Sequence, residues 1–439
     1  MTASSSIVRL DHAFLLRLAD WLAVLVVVTL PWSTTATGIC IAAWLFVVLP
    51  TLDVASVRRE LESAPGGLPV VLWCLGLIGM LWAGVSWTER FQGLGSFHRL
   101  LVIPLLLAQF RRSGRGGWVI YGFLISAAIV LIVSYVLILI PGLTPRGKVV
   151  RIARHDDIFQ SSIFIICGFG ALGYAAIEGV RRHGLAVFAS IAIAAFFLAN
   201  FLFVPIFARI VFAVAPVLAG LLGWRLFRWT GLVGACVLAV ALSVAFWFTS
   251  PSLRVHVHNS IDEFREYRAT NRSTPIGQHL AFLKESLTII FSAPLIGHGT
   301  GSIAEEFREV RSSGNGATAV ATVNPHNRTF AVAIQIGLIG AIVLWSMWIA
   351  HFRLFRGEGT ISWLGTVIVV ENIVSSAVHS HLFDFANGWL YVFGVGVLGG
   401  TVLRQQTESS VAATPLASET AAGQYGQTHD LSRIRAIGP

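Results

Sequence analysis

The stretch GWVIYGFLISAAIVLIVSYVLILIP, residues 117–141, carries no charged side chain along its whole length. A helix needs about 20 mainly apolar residues to cross the hydrocarbon core of a bilayer, and this stretch supplies them. Working outward, the same criterion marks further runs at roughly 18–33, 36–52, 68–87, 93–110, 157–179, 184–203, 206–224, 230–250, 328–350, 360–379 and 384–403. The runs are continuous rather than alternating, which argues against an outer-membrane barrel. The expected fold is an all-α polytopic membrane protein of about twelve transmembrane helices.

Composition agrees. Of 439 residues, 55% are hydrophobic and 12% charged, against about 25% charged in a soluble domain. The net charge of +9 would suit a nucleic-acid binder. The arginines, however, fall in short clusters between apolar runs, as they do where a bilayer orients helices, so no nucleic-acid partner is expected. Cys40, Cys74, Cys167 and Cys236 sit in apolar stretches at no metal-ligand spacing and read as small buried hydrophobes. The run from Ala19 to Trp32 ends without a clear small-x-small cleavage site and another follows at once. It reads as a first membrane helix rather than a removed signal peptide.

Short-loop arginines set the orientation. One side holds fourteen, from Arg9 and Arg17 through the pairs at 58–59, 111–112 and 181–182 to Arg404. The other side's short loops hold Arg90, Arg146, Lys148, Arg151 and Arg154, four of them crowded into the loop 141–156. The first side is expected to be cytoplasmic, with both termini there. Residues 1–250 then form nine membrane helices, 251–327 a long periplasmic loop, 328–403 three more helices, and 404–439 a cytoplasmic tail without periodicity, expected to be disordered.

The long loop has helix signals of its own. Ser260-Ile-Asp-Glu263 and Ser302-Ile-Ala-Glu305 fit capping boxes. Between them Ile276, Leu280, Leu283, Leu287 and Ile290 recur at helical spacing, with Pro275 at a plausible first position. The loop should be a folded cap of short amphipathic helices lying on the membrane.

Several residues could carry chemistry. Arg209, just inside the outer end of a span, either snorkels to the interface or is held at the outer mouth for an anionic substrate. Arg146, Lys148, Arg151 and Arg154 would attract the same substrate, or else contact anionic headgroups. Arg265 and Arg268 are better explained by ion pairs with Asp262, Glu263 and Glu266 along a helix, whereas Arg272 lies beyond them. His326 sits in Asn324-Pro-His-Asn327 before an apolar helix, where the positive end of the helix dipole disfavours imidazole protonation and suits a general base; a plain turn histidine is the other reading. Gly297, Gly299 and Gly301 follow no strand, so a nucleotide fingerprint is rejected in favour of a tight turn leaving free amides for an anion. His379, His381 and Asp384 form no second metal-spaced cluster, so they read as interfacial polar residues or helpers of His326. Glu371, mid-span, should face the bundle interior and is what a proton-coupled solute transporter would use.

The stretch Ser292–Gly340 resembles the O-antigen ligase family of bacterial inner membranes. The likeness lies in Pro294-Leu-Ile-Gly-His-Gly-Thr-Gly301, then Pro325-His326-Asn327, then Gly337-Leu-Ile-Gly340. It implies a glycosyltransferase that moves a glycan from undecaprenyl pyrophosphate to an acceptor such as lipid A core, in lipopolysaccharide biosynthesis, without a metal, cofactor or nucleotide sugar. The family's catalytic histidine falls on His326, its membrane arginine on Arg209 as ligand of the lipid pyrophosphate. Asn327, Gly299, Gly301, Asp384, Arg151 and Arg154 then become candidate substrate-binding residues. The family's second arginine, in a Gly-x-Arg-Leu segment, meets Gly277-Gln278-His279-Leu280 here, so either His279 or Arg272 takes that place. A polysaccharide polymerase or a transferase acting on protein would share this chemistry and differ in acceptor.

Overall fold

The structure, a computed structural model, describes residues 12–140, 157–179, 184–203, 208–249, 251–270, 274–312, 325–377, 382 and 384–427. Among the described residues the regular structure is entirely helical. Helices α1 (His12–Thr29) and α2 (Thr34–Val48) form a hairpin, with the Ser33 hydroxyl accepting from the Ala36 amide to start α2. Two of the expected spans are bent. α3 (Val54–Glu62) meets α4 (Ala64–Gly79) at 84°, and α5 (Trp87–Gly95) meets a 3-10 turn and α6 (Val102–Arg112) at 45°. The run 68–87 stops early because Ser86 and Glu89 build a capping box that opens α5 instead.

α7 (Gly116–Leu139), α8 (Asp157–Gly179) and α9 (Leu185–Phe203) follow, then α10 (Ala208–Thr249), which takes in two of the expected spans. It breaks at Arg228 (φ 55°, ψ −132°), where the backbones of Gly223 and Gly231 come into contact and Trp224 packs edge-on against Trp229 at 4.6 Å. The chain reverses there. α11 (Pro251–Thr270), α12 (Pro275–Ser292) and α13 (Ile303–Val310) form the cap. α14 (Arg328–Leu354), α15 (Thr360–Ser375) and α16 (Phe385–Gln427) complete the bundle. Among the described residues seven helices are long and apolar enough to cross a membrane, or up to nine if each bent pair is one span.

The core forms where α16 packs on α6, α8 on α9, α14 on α4 and α15 on α16. Trp44, Phe97, Phe110, Trp348 and Trp363 are buried in it. Several buried polar groups are paired with one another, which offsets the cost of a low-dielectric interior. Asp20 accepts from Gln109 (2.9 Å) and Ser113 (2.7 Å), and Gln109 accepts from Trp44 (2.9 Å). His351 bridges the Tyr391 hydroxyl (2.6 Å) and the Pro65 carbonyl (2.9 Å). Arginines expected to mark one side pair with acids: Arg111 with Glu60 at 3.0 Å, Arg112 with Asp53 at 3.5 Å.

Three expectations are corrected. Ser260 starts no helix, since α11 begins at Pro251, a favoured first residue. α12 does begin at Pro275, with the Thr274 hydroxyl accepting from Gly277 N, but its buried face is Phe282, Glu285 and Ile289. Leu283 and Leu287 are exposed, because α12 is apolar on two faces and only one meets the core of Ile303, Phe307, Ala331 and Ile334. Cys167 is buried as expected and Cys40 and Cys74 partly so, but Cys236 is exposed.

Candidate active site

The glycine turn is held by backbone contacts. Gly297, Gly299 and Gly301 all have positive φ, and a Cβ on Gly299 would strike the backbone of Ala83. The amides of His298 and Gly299 donate to the carbonyls of Ile334 (2.8 Å) and Gln335 (2.9 Å). The Thr300 amide donates to Gly79 O (3.1 Å), and the Gly301 amide to the Gln335 side chain (2.8 Å). The amides of Gly299 and Gly301 are therefore committed to protein acceptors. The expected anion-binding turn is corrected to a structural joint.

His298 fastens that joint. Its Nδ1 lies 3.0 Å from a Glu306 carboxylate oxygen, and its Nε2 lies 3.0 Å from both the Ile289 carbonyl and the Ser292 hydroxyl. The Ser292 hydroxyl itself donates to Ile289 O at 2.7 Å. Acceptors at both ring nitrogens favour the imidazolium. Glu306, with a lesser contribution from the Ile289 carbonyl, raises the pKa above the ordinary 6.5 against the opposing effect of burial.

His326 occupies the turn before α14 with φ 54°, a left-handed conformation that a side chain adopts at a cost of about 1–2 kcal/mol. Its neighbours fix it there. The Asn327 side chain caps α14, accepting from Phe330 N (3.1 Å), and donates to Ala377 O (3.1 Å). The Arg328 amide donates to Ser376 O (2.9 Å). The start of α14 is thus stapled to the end of α15, and Asn327 acts on the helix rather than as a demonstrated ligand contact. The imidazole packs 5.8 Å from the His279 ring at 71° and 5.8 Å from Phe282 at 30°. His279, exposed on α12, is brought to His326 from 47 residues away in sequence (326 minus 279).

Asp384 is the N-cap of α16, accepting from the Asn387 amide and side chain at 3.1 Å each. Its backbone carbonyl accepts from Arg99. Arg99 and Arg328 were not singled out in the sequence, yet both are buried here, and Asp384 acts electrostatically on both. Arg99 could have been flagged by the test applied to Arg209, a cation inside an apolar run. Arg209 lies in the first turn of α10, and its side chain is outside what the structure describes, as are Arg151, Arg154, Arg272, His379 and His381. Glu371 is buried, hydrogen-bonded to Ser375 (2.9 Å) and Ser162. Among the described residues no three His, Cys, Asp or Glu side chains are grouped to hold a metal.

The arrangement sets an imidazole pair at a helix start, with the buried Arg328 two residues further along the chain. Such a set can take a proton from a hydroxyl and stabilise negative charge on a leaving group. No family model and no curated protein matches the chain.

Proposed function

We propose that this protein is a glycosyltransferase of the O-antigen-ligase-like kind, moving a glycan from undecaprenyl diphosphate to lipid A core on the periplasmic face of a bacterial inner membrane. An acceptor hydroxyl oxygen attacks the anomeric carbon, the bond from that carbon to the diphosphate oxygen breaks, and the carrier diphosphate leaves. His326 receives the hydroxyl proton, and Arg209 binds the diphosphate. His279 stands where the family resemblance leads one to expect an arginine.

The observation that carries this reading is the meeting of His326 and His279 at 5.8 Å, from two elements distant in sequence. The twelve-span topology is supported by adding, to the nine candidate spans, α9, α15 and the second arm of α10 beyond the Arg228 reversal. A cap resting on lipid is supported by the outward apolar stripe Leu283, Leu287, Phe291, Leu295 and Ile296, all exposed.

The test is a lipopolysaccharide gel. His326→Ala, at wild-type protein level in a deletion strain, should abolish the O-antigen ladder, and a persisting ladder overturns the assignment. A polymerase of the same chemistry is separated by the carrier-linked glycans that accumulate on deletion: long chains for a ligase, single units for a polymerase.

A further inference from the structure

Between α1, α7, α8, α15 and α16 lies a cleft whose empty space, its open mouth included, comes to about 470 Å³. Val27, Val119, Ile166, Ile368, Leu390 and Leu398 line it, and no polar or charged side chain does. Each of the six is 7% exposed or less. Close-packed interiors leave few voids wider than a water molecule, and an apolar void offers water no hydrogen-bond partner. Such a space suits hydrocarbon. Leu390 and Leu398 are eight residues apart on α16 (398 minus 390), so the cleft runs about 12 Å along that helix.

Aromatic and cationic residues mark the depth of one end. Trp21 and Trp118, with ring centroids 5.8 Å apart, and Tyr121 beside them are exposed where α1 packs on α7. Exposed Trp and Tyr favour the level at which hydrocarbon meets headgroups. Arg17 stands four residues before Trp21, and Arg115 directly before the first residue of α7. The Arg404 guanidinium lies on Gly114 and Thr401 on Gly116, so α16 brings Arg404 to the same level. From Leu398 to Arg404 is about 9 Å of helix, and from Arg115 to Val119 about 6 Å. A lipid with one chain in the cleft therefore holds its phosphate level with the arginines. Leu354, at the last residue of α14, lies against Gly399, which places this level at the opposite end of α14 from His326.

The arginines are available to an anion. Arg115 buries an Nη1 that has no hydrogen-bond partner among the described residues. Its amide donates to Ser113 Oγ (3.1 Å), and Ser113 and Gln109 occupy the carboxylate of Asp20. Arg404 pairs with Glu408 at 2.7 Å, an exposed pair of the kind worth little in water.

We propose that this cleft binds an anionic phospholipid, with one acyl chain between α7 and α16 and the phosphate on Arg115 and Arg404. The lipid ties the α1–α7 pair to α8, α15 and α16. The site is separate from the turn at His326 and does not depend on the transferase reading.

The experiment is native mass spectrometry of the full-length protein in detergent, titrated with phosphatidylglycerol or with phosphatidylcholine of the same acyl chains. Wild type should retain one phosphatidylglycerol, preferred over phosphatidylcholine about tenfold or more, the scale of two interfacial arginines. Arg115→Gln combined with Arg404→Gln should abolish that preference. Ile120→Phe, at a half-buried position lining the cleft, should lower retention of both lipids. Glu408→Gln frees Arg404 and should tighten phosphatidylglycerol binding, which keeps the test open should the double variant fail to fold. Equal retention of the two lipids by wild type, an unchanged preference in the monodisperse double variant, or weaker binding by Glu408→Gln overturns the site. Glycerol phosphate competing as well as the whole lipid overturns the role of the cleft. One-for-one displacement of phosphatidylglycerol by undecaprenyl phosphate gives the cleft to an isoprenoid and overturns the phospholipid.

Discussion

Replacing His298 with alanine removes a clamp that joins three elements: the glycine turn, α12 through Ile289 and Ser292, and α13 through Glu306. A hydrogen bond to a charged partner contributes about 1.5–3 kcal/mol. The His298 and Glu306 side chains are 19% and 17% exposed, so some screening remains and about 1.5–2 kcal/mol is expected. The sign of the pH dependence follows from the folded state favouring the imidazolium. A group whose pKa is raised on folding gives its stabilisation in full below its unfolded value of 6.5 and loses it as pH rises through the folded value. Glu306 acts first and Glu309 more weakly from the same helix, so both carboxylates support the charged form. Wild type and His298→Ala, unfolded in detergent and followed by tryptophan fluorescence from about pH 5 to about pH 9, should differ most at the acid end and converge at the alkaline end. Glu306→Gln should flatten the wild-type profile in the same way. A stability gap constant across this range, or one that widens with pH, refutes the clamp.

Gly299→Ala should lower the melting temperature and the yield of monodisperse protein. Its left-handed φ of 95° and the Ala83 backbone in the path of the new methyl together cost about 2–5 kcal/mol. Asn327→Ala should cost about 0.5–2 kcal/mol through the lost cap, and should also reduce glycan transfer because His326 loses its fixed neighbour. Asn327→Asp restores the acceptor for Phe330 N without the donor to Ala377 O, so measuring both separates cap from staple. Glu371→Gln should leave the O-antigen ladder intact, since Glu371 is held by Ser375 and Ser162 inside the bundle. Loss of solute uptake in proteoliposomes on this substitution, with an unaffected ladder, would favour transport instead.

Apolar run length was enough to locate most helices, because a lipid-exposed helix must satisfy its backbone internally and shield it with apolar side chains. The bends were harder to foresee. Ser86-Trp-Thr-Glu89 carries the signal for the α4–α5 break, but it lies in a run whose hydropathy continues across it. The reversal in α10 depends on Gly223 meeting Gly231, a contact that no single-run criterion examines. At the site, the helix start at His326-Asn327 was legible from capping chemistry. His279 beside it came only from a resemblance, since local spacing does not relate α12 to α14. The fate of the glycine amides was illegible for a different reason. Positive φ can be inferred from Gly-x-Gly-x-Gly, whereas amide availability depends on Gly79 and Gln335, contributed by other helices.

The break in α14 explains why those amides are occupied. In a continuous helix the amides of Leu338 and Ile339 would donate to the carbonyls of Ile334 and Gln335, four residues back. Gly337, at φ 69° and ψ −164°, prevents this. The glycine turn supplies both missing halves. His298 and Gly299 donate to the freed carbonyls, while Leu338 and Ile339 donate to Pro294 O (2.8 Å) and Leu295 O (3.4 Å). Two intrahelical bonds are replaced by four between segments, so the interruption leaves no buried backbone group unpaired at those positions. This exchange requires backbone to lie directly on backbone, and a side chain on Gly297 or Gly337 would fill the space between them. The first arm of α14 is thereby joined to the cap, with Ala331 and Ile334 in the cap core, and the second arm belongs to the bundle through Met347 and Trp348. His326 stands at the tip of the first arm. The glycines therefore set the angle at which the cap, carrying His279, presents that arm to α15 and α16.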